Sequence, residues 1–232
     1  MNKNNLFYFD IETVGQYKDL ESLKTNDRKG YDLFMKKYEK SSWINETSTP
    51  EEAYFRYAPI ASPYGKIVCI SFGYFHEKSE EGYTINSISN VNEEQLMKEI
   101  QSLFVKVSKK HLVLSGFNIN GFDIPFIVHK LNKYNIVVPN VLKIYGKKPW
   151  EIHSFDLFNE YKSNYSTYKF MPSFDEVCYE LGVPSPKNTI DGSKVHTTFW
   201  DDDDLPTIVD YCEGDVYSNM LVAEKMLLGE II

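Results

Sequence analysis

Hydrophobic residues recur along this chain in two alternating periods, one of strands and one of helices. Runs rich in β-branched and aromatic residues at Leu6–Val14, Lys66–Phe75, Gly82–Ile88 and His111–Phe117 predict strands, and a shorter one is expected at Glu151–Leu157. Apolar residues three and four apart predict a helix from Asn92, with Asn92 as cap and Gln95 in the capping-box position, running through Leu96, Ile100 and Phe104. A second helix follows Asp123, and a third spans Ser173 to Leu181, stopped by Gly182 and Pro184. The last begins near Pro206 and carries Val209, Tyr211, Cys212, Val216, Met220 and Val222. Three strands in succession, then helix alternating with strand, predict an α/β domain with a mixed central sheet flanked by helices.

One stretch breaks the alternation. Residues 17–62 hold a charged amphipathic helix, Tyr31–Lys40, then Trp43, Tyr54, Phe55 and Tyr57, with Pro59 and Pro63 closing the segment. It reads as a helical insertion after the first strand of a single domain spanning 1–232. Most of its aromatics are expected to pack the insertion onto the domain; stacking on unpaired bases is the alternative.

The chain has 232 residues, 42% of them hydrophobic and 15% aromatic, enough for a full globular core. No apolar run is long enough to span a membrane, and the polar start Met1–Asn5 leads straight into a strand, so neither membrane span nor signal peptide is expected. Cys69, Cys178 and Cys212 are odd in number and lack C-x-x-C spacing, which predicts reduced, buried thiols in a cytoplasmic protein. A net charge of −8 argues against tight, processive binding of duplex nucleic acid, though not against gripping a few nucleotides at a strand end. Part of it, Asp201–Asp204, is expected in a solvated loop.

Three short strings hold the candidate chemistry. They are F-D-I-E-T at Phe9–Thr13, N-I-N-G-F-D at Asn118–Asp123 and Y-C-E-G-D at Tyr211–Asp215. Alternate strand residues share a face, so Asp10 and Glu12 project together; residues four apart on a helix do too, setting Tyr211 beside Asp215. Asp123 stands where a buried strand hands over to a helix. Carboxylates gathered at one point drift towards neutral unless cations lie between them, and hard divalent ions with oxygen ligands suit phosphoryl chemistry.

With those strings in place, the chain resembles the DEDD superfamily of 3′→5′ exonucleases. More narrowly, it is similar to the proofreading exonuclease domain of family B DNA polymerases and its free-standing bacterial and viral relatives. The family's D-I-E-T is matched by Asp10–Thr13, its N-x-x-x-F-D by Asn118, Phe122 and Asp123, and its Y-x-x-x-D by Tyr211 and Asp215. A tyrosine four residues before the last acid marks the tyrosine branch. Further likeness lies in A-P-I (Ala58–Ile60), G-K-I-V-C-I-S (Gly65–Ser71), K-P-W (Lys148–Trp150), L-G-V-P-S-P-K (Leu181–Lys187) and D-G-S-K-V (Asp191–Val195), covering Leu6 to Leu228. Since the sequence stops soon after the third string, no polymerase palm or fingers are expected to follow it.

The resemblance implies a ribonuclease H-like (DnaQ-like) fold and two divalent cations, Mg²⁺ or Mn²⁺. Asp10 would bridge both, Glu12 and Asp215 would complete the site that activates water, and Asp123 would reach the second. Tyr211 would position the water. Thr13 and Asn118 would contact the terminal nucleotide or the second shell, and Phe122, a candidate substrate-side residue, is expected to pack more than to touch a base. The implied substrate is single-stranded DNA or an unpaired DNA 3′ end, cut to nucleoside 5′-monophosphates, with a DNA polymerase or other replication protein as a possible partner. An exoribonuclease of the same superfamily and a non-catalytic replisome module are the alternatives. His129, His153 and His196 are expected to be ordinary histidines, since none stands before the final acid. Lys187 and Lys194 flank a Gly-Ser loop that either touches a phosphate or is merely solvated, and Ser185–Lys187 carries no nucleophile signature.

Overall fold

Five strands form one sheet in the computed structural model, which describes residues 1–41, 49–77, 80–148, 151–165, 171–185 and 190–228. Trp43, Pro149, Trp150 and Lys187 lie outside the described residues. The strands are β1 (Leu6–Gly15), β2 (Gly65–Phe75), β3 (Tyr83–Ser89), β4 (Val113–Gly116) and β5 (Ser154–Asp156), in the order β3-β2-β1-β4-β5. β1 pairs antiparallel with β2, and β2 with β3; on the other side β1–β4 and β4–β5 are parallel. The sheet is mixed, as expected, with β1 at its centre.

Central position requires that β1 be apolar on both faces. Phe7, Phe9 and Ile11 face α4 (Glu93–Lys109) and α5 (Asp123–Lys133), packing with Leu96, Met97, Ile100, Phe104, Ile124 and Ile127. Leu6 and Tyr8 face α7 (Phe174–Leu181) and the long α9 (Leu205–Leu228), against Val177, Val216 and Met220. Phe9 is fully buried, with its ring edge-on to Phe104 at 5.2 Å, so Phe9→Ala would cost about 3–5 kcal/mol. Local signals set the helix ends. Asn92 accepts from the Gln95 N–H, Ser173 and Glu176 form a capping box, and Gly182 ends α7 at φ 64°.

The stretch between β1 and β2 holds α1 (Leu20–Asn26), α2 (Arg28–Lys40) and α3 (Pro50–Tyr57). Its Leu20, Leu23, Phe34, Tyr54 and Tyr64 build a small core of their own, and Tyr54 is 1% exposed, so packing is the main role of these aromatics. Phe55 differs: it is 39% exposed, with its ring edge-on to that of His196 at 5.1 Å. α1, α3, α6 (Leu157–Tyr165) and α8 (Val195–Trp200) are not predicted from the sequence; all four are short, at nine residues or fewer. β4 is shorter than its apolar run, since His111 (φ 54°) and Asn118 (φ 59°) turn the chain at either side. Asp201 and Asp204 are not merely solvated: Asp201 pairs with Lys18 at 2.6 Å, and Asp204 caps α9 by accepting from Thr207.

Candidate active site

β1 outruns its parallel neighbour, and the site lies where it does. Pairing with β4 covers only Leu6–Tyr8, so further along β1 that edge carries backbone groups with no strand to meet them. Asp123, the first residue of α5, fills the gap: its Oδ1 accepts from the Ile11 N–H at 3.2 Å. Ile11 lies between Asp10 and Glu12, whose side chains leave the opposite face of the strand. Across β2, Asp10 stands opposite Ser71 and Glu12 opposite Cys69, and the register shifts between Glu12 and Thr13.

A tight turn brings Asp123 there. Asn118 adopts a left-handed φ of 59°, its carbonyl accepts from the Gly121 and Phe122 N–H groups, and its side chain folds over Gly121. A Cβ at Gly121 would lie 2.4 Å from Asn118 Oδ1, so only glycine fits this position without moving Asn118. Phe122 is half-buried and tilted against Phe126 at 5.6 Å. Thr13 is 8% exposed beside the register shift.

From the other side, one turn of α9 presents Tyr211 and Asp215, both buried, with the phenol hydrogen-bonded to Asp215. Between them and β1, the Cys212 thiol reaches Asp10. The loop before α8 crosses the tyrosine: a Cβ on Gly192 would stand 3.9 Å from the Tyr211 hydroxyl.

Burial and mutual repulsion dominate the electrostatics. Asp10 is held well above the usual carboxylate range by desolvation, then by Asp123, Asp215 and Glu12. Glu12 is raised by desolvation, then by Asp215, Cys69 and Asp123. Asp123 is pushed up to about 7, mostly by burial, against the opposing effect of its backbone hydrogen bonds. The Tyr211 phenol is driven far up by burial and by Asp215, Glu12 and Asp10. All four predicted acids are therefore in electrostatic reach of one another. Ligand atoms of Asp10, Glu12 and Cys212 come within 4.8 Å of each other. Burial keeps the Cys212 thiol protonated, so it offers a hydrogen bond and not a soft ligand. The remaining donors are carboxylate oxygens, which fit Mg²⁺ or Mn²⁺.

The histidines stay outside this chemistry. His196 accepts from the Gly15 N–H at 3.0 Å and meets the Lys18 carbonyl at 2.7 Å, joining α8 to the end of β1; His129 bonds Ser62. Sequence reasoning missed Asp156, the last residue of β5. It is 2% exposed and accepts from the backbone N–H groups of Asn118 and Asn120 in the turn before Asp123. An acid closing a strand before a helix is a local capping signal, but nothing local connects it to that turn.

Comparison with known proteins gives a family and a fold. Residues 58–229 match the family described as a predicted 3′–5′ exonuclease related to the exonuclease domain of PolB, and the chain belongs to that family. The match includes Asp123, Tyr211 and Asp215, while Asp10 and Glu12 precede it. No curated protein matches the chain. Among solved structures, the family B DNA polymerase from the hyperthermophilic archaeon Pyrobaculum calidifontis is similar, with a TM-score of 0.55 and 19% identity over 96% of this chain and 24% of that one. The chain thus spans about a quarter of that polymerase's length, and what the two share is the fold. No helix among the described residues is long and apolar enough to cross a membrane.

Proposed function

We propose that this member of the PolB-related exonuclease family is a metal-dependent 3′→5′ exonuclease that removes nucleoside 5′-monophosphates from single-stranded or unpaired DNA 3′ ends. The observation that supports the reading is that Asp10 and Glu12 lie together on β1, with Asp123 and Asp215 near enough to raise the pKa of Asp10 and Glu12. Divalent cations among these acids would offset the repulsion, and two are proposed. Asp10 would serve both ions, Glu12 and Asp215 would help hold the one that activates water, and Asp123 would help hold the other. Bound cations would acidify a water and neutralise charge on the departing 3′-oxygen.

The protein's own groups supply orientation. Burial and neighbouring acids keep the Tyr211 phenol protonated, so it acts as a hydrogen-bonding guide for water and not as a base. Its hydroxyl also bonds to Asp215, which ties it to the acids. Hydrolysis forms a bond from the water oxygen to phosphorus and breaks the bond from phosphorus to the 3′-oxygen, which leaves with a proton. Thr13 and Asn118, beside the acids in sequence, are assigned to the terminal nucleotide. The whole of 1–232 is read as one exonuclease domain with its insertion at about 17–62. Its charge of −8 suits a brief grip on a strand end, with a polymerase or other replication protein supplying further affinity.

The test is incubation of 3′- and 5′-labelled single strands of DNA and RNA with Mg²⁺ or Mn²⁺. Stepwise shortening from the 3′ end of DNA is expected. Degradation of RNA alone would make the protein an exoribonuclease, and no degradation of either would leave a binding module.

A further inference from the structure

We infer that Asp156 is a positioning residue that sets the reach of Asp123 into the acid cluster, and with it the cluster's affinity for divalent cations. Asp156 ends β5 and touches no predicted metal ligand directly. Its Oδ1 accepts from the N–H groups of Asn118 (3.0 Å), Phe158 (3.1 Å) and Asn159 (3.5 Å), and its Oδ2 from that of Asn120 (2.9 Å). Capping α6 occupies Oδ1 alone, so Oδ2 serves only the turn that leads to Asp123.

That turn needs an outside acceptor. Inside it, the Gly121 and Phe122 N–H groups go to the Asn118 carbonyl and the Ile124 N–H goes to that of Ile119. The N–H groups of Asn118 and Asn120 are the two met by Asp156, and Ser154 Oγ adds a hydrogen bond to Asn120 Oδ1 at 2.9 Å. Asp156 thus holds the turn whose backbone runs on through Gly121 and Phe122 to Asp123, and Asp123 Oδ1 in turn accepts from the Ile11 N–H between Asp10 and Glu12. A buried carboxylate is a costly way to cap a helix, more so with other acids nearby. Its two oxygens, however, let one side chain accept on two fronts, which an amide cannot do.

The inference rests on the proposed function for its activity arm, not for its binding arm. Asp156→Asn in the full chain keeps one acceptor oxygen and turns an N–H towards Asn120. Asp156→Ser keeps a cap for α6 and cannot reach the turn. With Mn²⁺ as probe, calorimetry should show the dissociation constant rising about 10-fold in both variants, the low end of the loss seen for groups bonded directly to a metal ligand, because Asp156 acts through the turn. Circular dichroism should remain that of the wild type, and kcat on a labelled oligonucleotide should fall with KM unchanged. Variants that fold and bind Mn²⁺ within twofold of the wild type would overturn the positioning role, as would loss of folding in both. Wild type that binds Mn²⁺ but cuts nothing would instead count against the proposed function alone. Wild type that does not bind Mn²⁺ would sink both.

Discussion

The Cys212 thiol lies 3.5 Å from the carbonyl oxygen of Asp10 and 3.7 Å from its Oδ2, so α9 meets the central strand at its first acid. Cys69 lies beside Cys212, and both residues are fully buried. The contact fixes the spacing between the helix that brings Tyr211 and Asp215 and the strand that brings Asp10 and Glu12. The predictions below concern what that spacing holds together.

Replacing Asp10 or Asp215 with alanine should abolish nuclease activity and leave the fold intact. Loss of a metal ligand removes several kcal/mol of transition-state stabilisation, a rate loss of more than about 10³-fold. Because repulsion among the remaining acids falls, the melting temperature without metal should stay equal or rise. Single-turnover cleavage and thermal melts in EDTA check both points; wild-type turnover in either variant would remove these acids from the site.

Stability without metal should fall as pH rises from about 4 to above 7. Asp10, Glu12 and Asp123 have folded pKa values above their unfolded ones, Asp123 at about 7, so the folded state holds more protons across that window. Their stabilising contribution is complete below the unfolded pKa and disappears as pH passes the folded pKa. His196 works the other way, since burial lowers its pKa, and its contribution is lost as pH falls below about 6.5. Millimolar Mg²⁺ should flatten the alkaline decline by binding the folded state. Melting curves between pH 4 and 9, with and without Mg²⁺, measure this, and an apo profile rising through pH 7 would contradict the electrostatics described here.

Tyr211→Phe should slow the chemical step by about 10²–10⁴-fold yet leave measurable activity, as for a group that only orients water. The phenyl ring would keep its place in the buried cluster that includes Val14, Val68 and Cys212, so Mn²⁺ affinity and melting temperature should change little. A single-turnover rate equal to wild type would mean the hydroxyl serves only to hold Asp215.

Single strands should be cut faster than blunt duplex, and a 3′ mismatch should narrow the gap. Reaching a cluster buried between β1 and α9 requires the terminal bases to be unpaired, which costs a few kcal/mol per step and least at a mismatch. Labelled substrates differing only in their last pair provide the measurement; equal rates on paired and unpaired ends would exclude such an approach.

Much of this protein follows from local patterns. The run Leu6–Val14 predicts a strand with Asp10 and Glu12 on one face because side-chain alternation is a property of any extended backbone. The same holds for Tyr211 and Asp215 one turn apart, for the caps at Asn92 and Ser173, and for the three strings that carry the family resemblance. Each is set within a few residues. What only the tertiary structure decided depends on where distant segments stop. β4 ends early enough to leave the Ile11 N–H for Asp123, 112 residues away, and Asp156 meets Asn118 from 38 residues further along. Cys212 touches Asp10 across 202 residues, and His196 ties α8 to Gly15 across 181. No periodicity encodes such contacts, since they follow from the length of each strand and the angle at which each helix crosses the sheet. The raised pKa values belong to the same class: a carboxylate's burial and its neighbours exist only once the chain has closed around it.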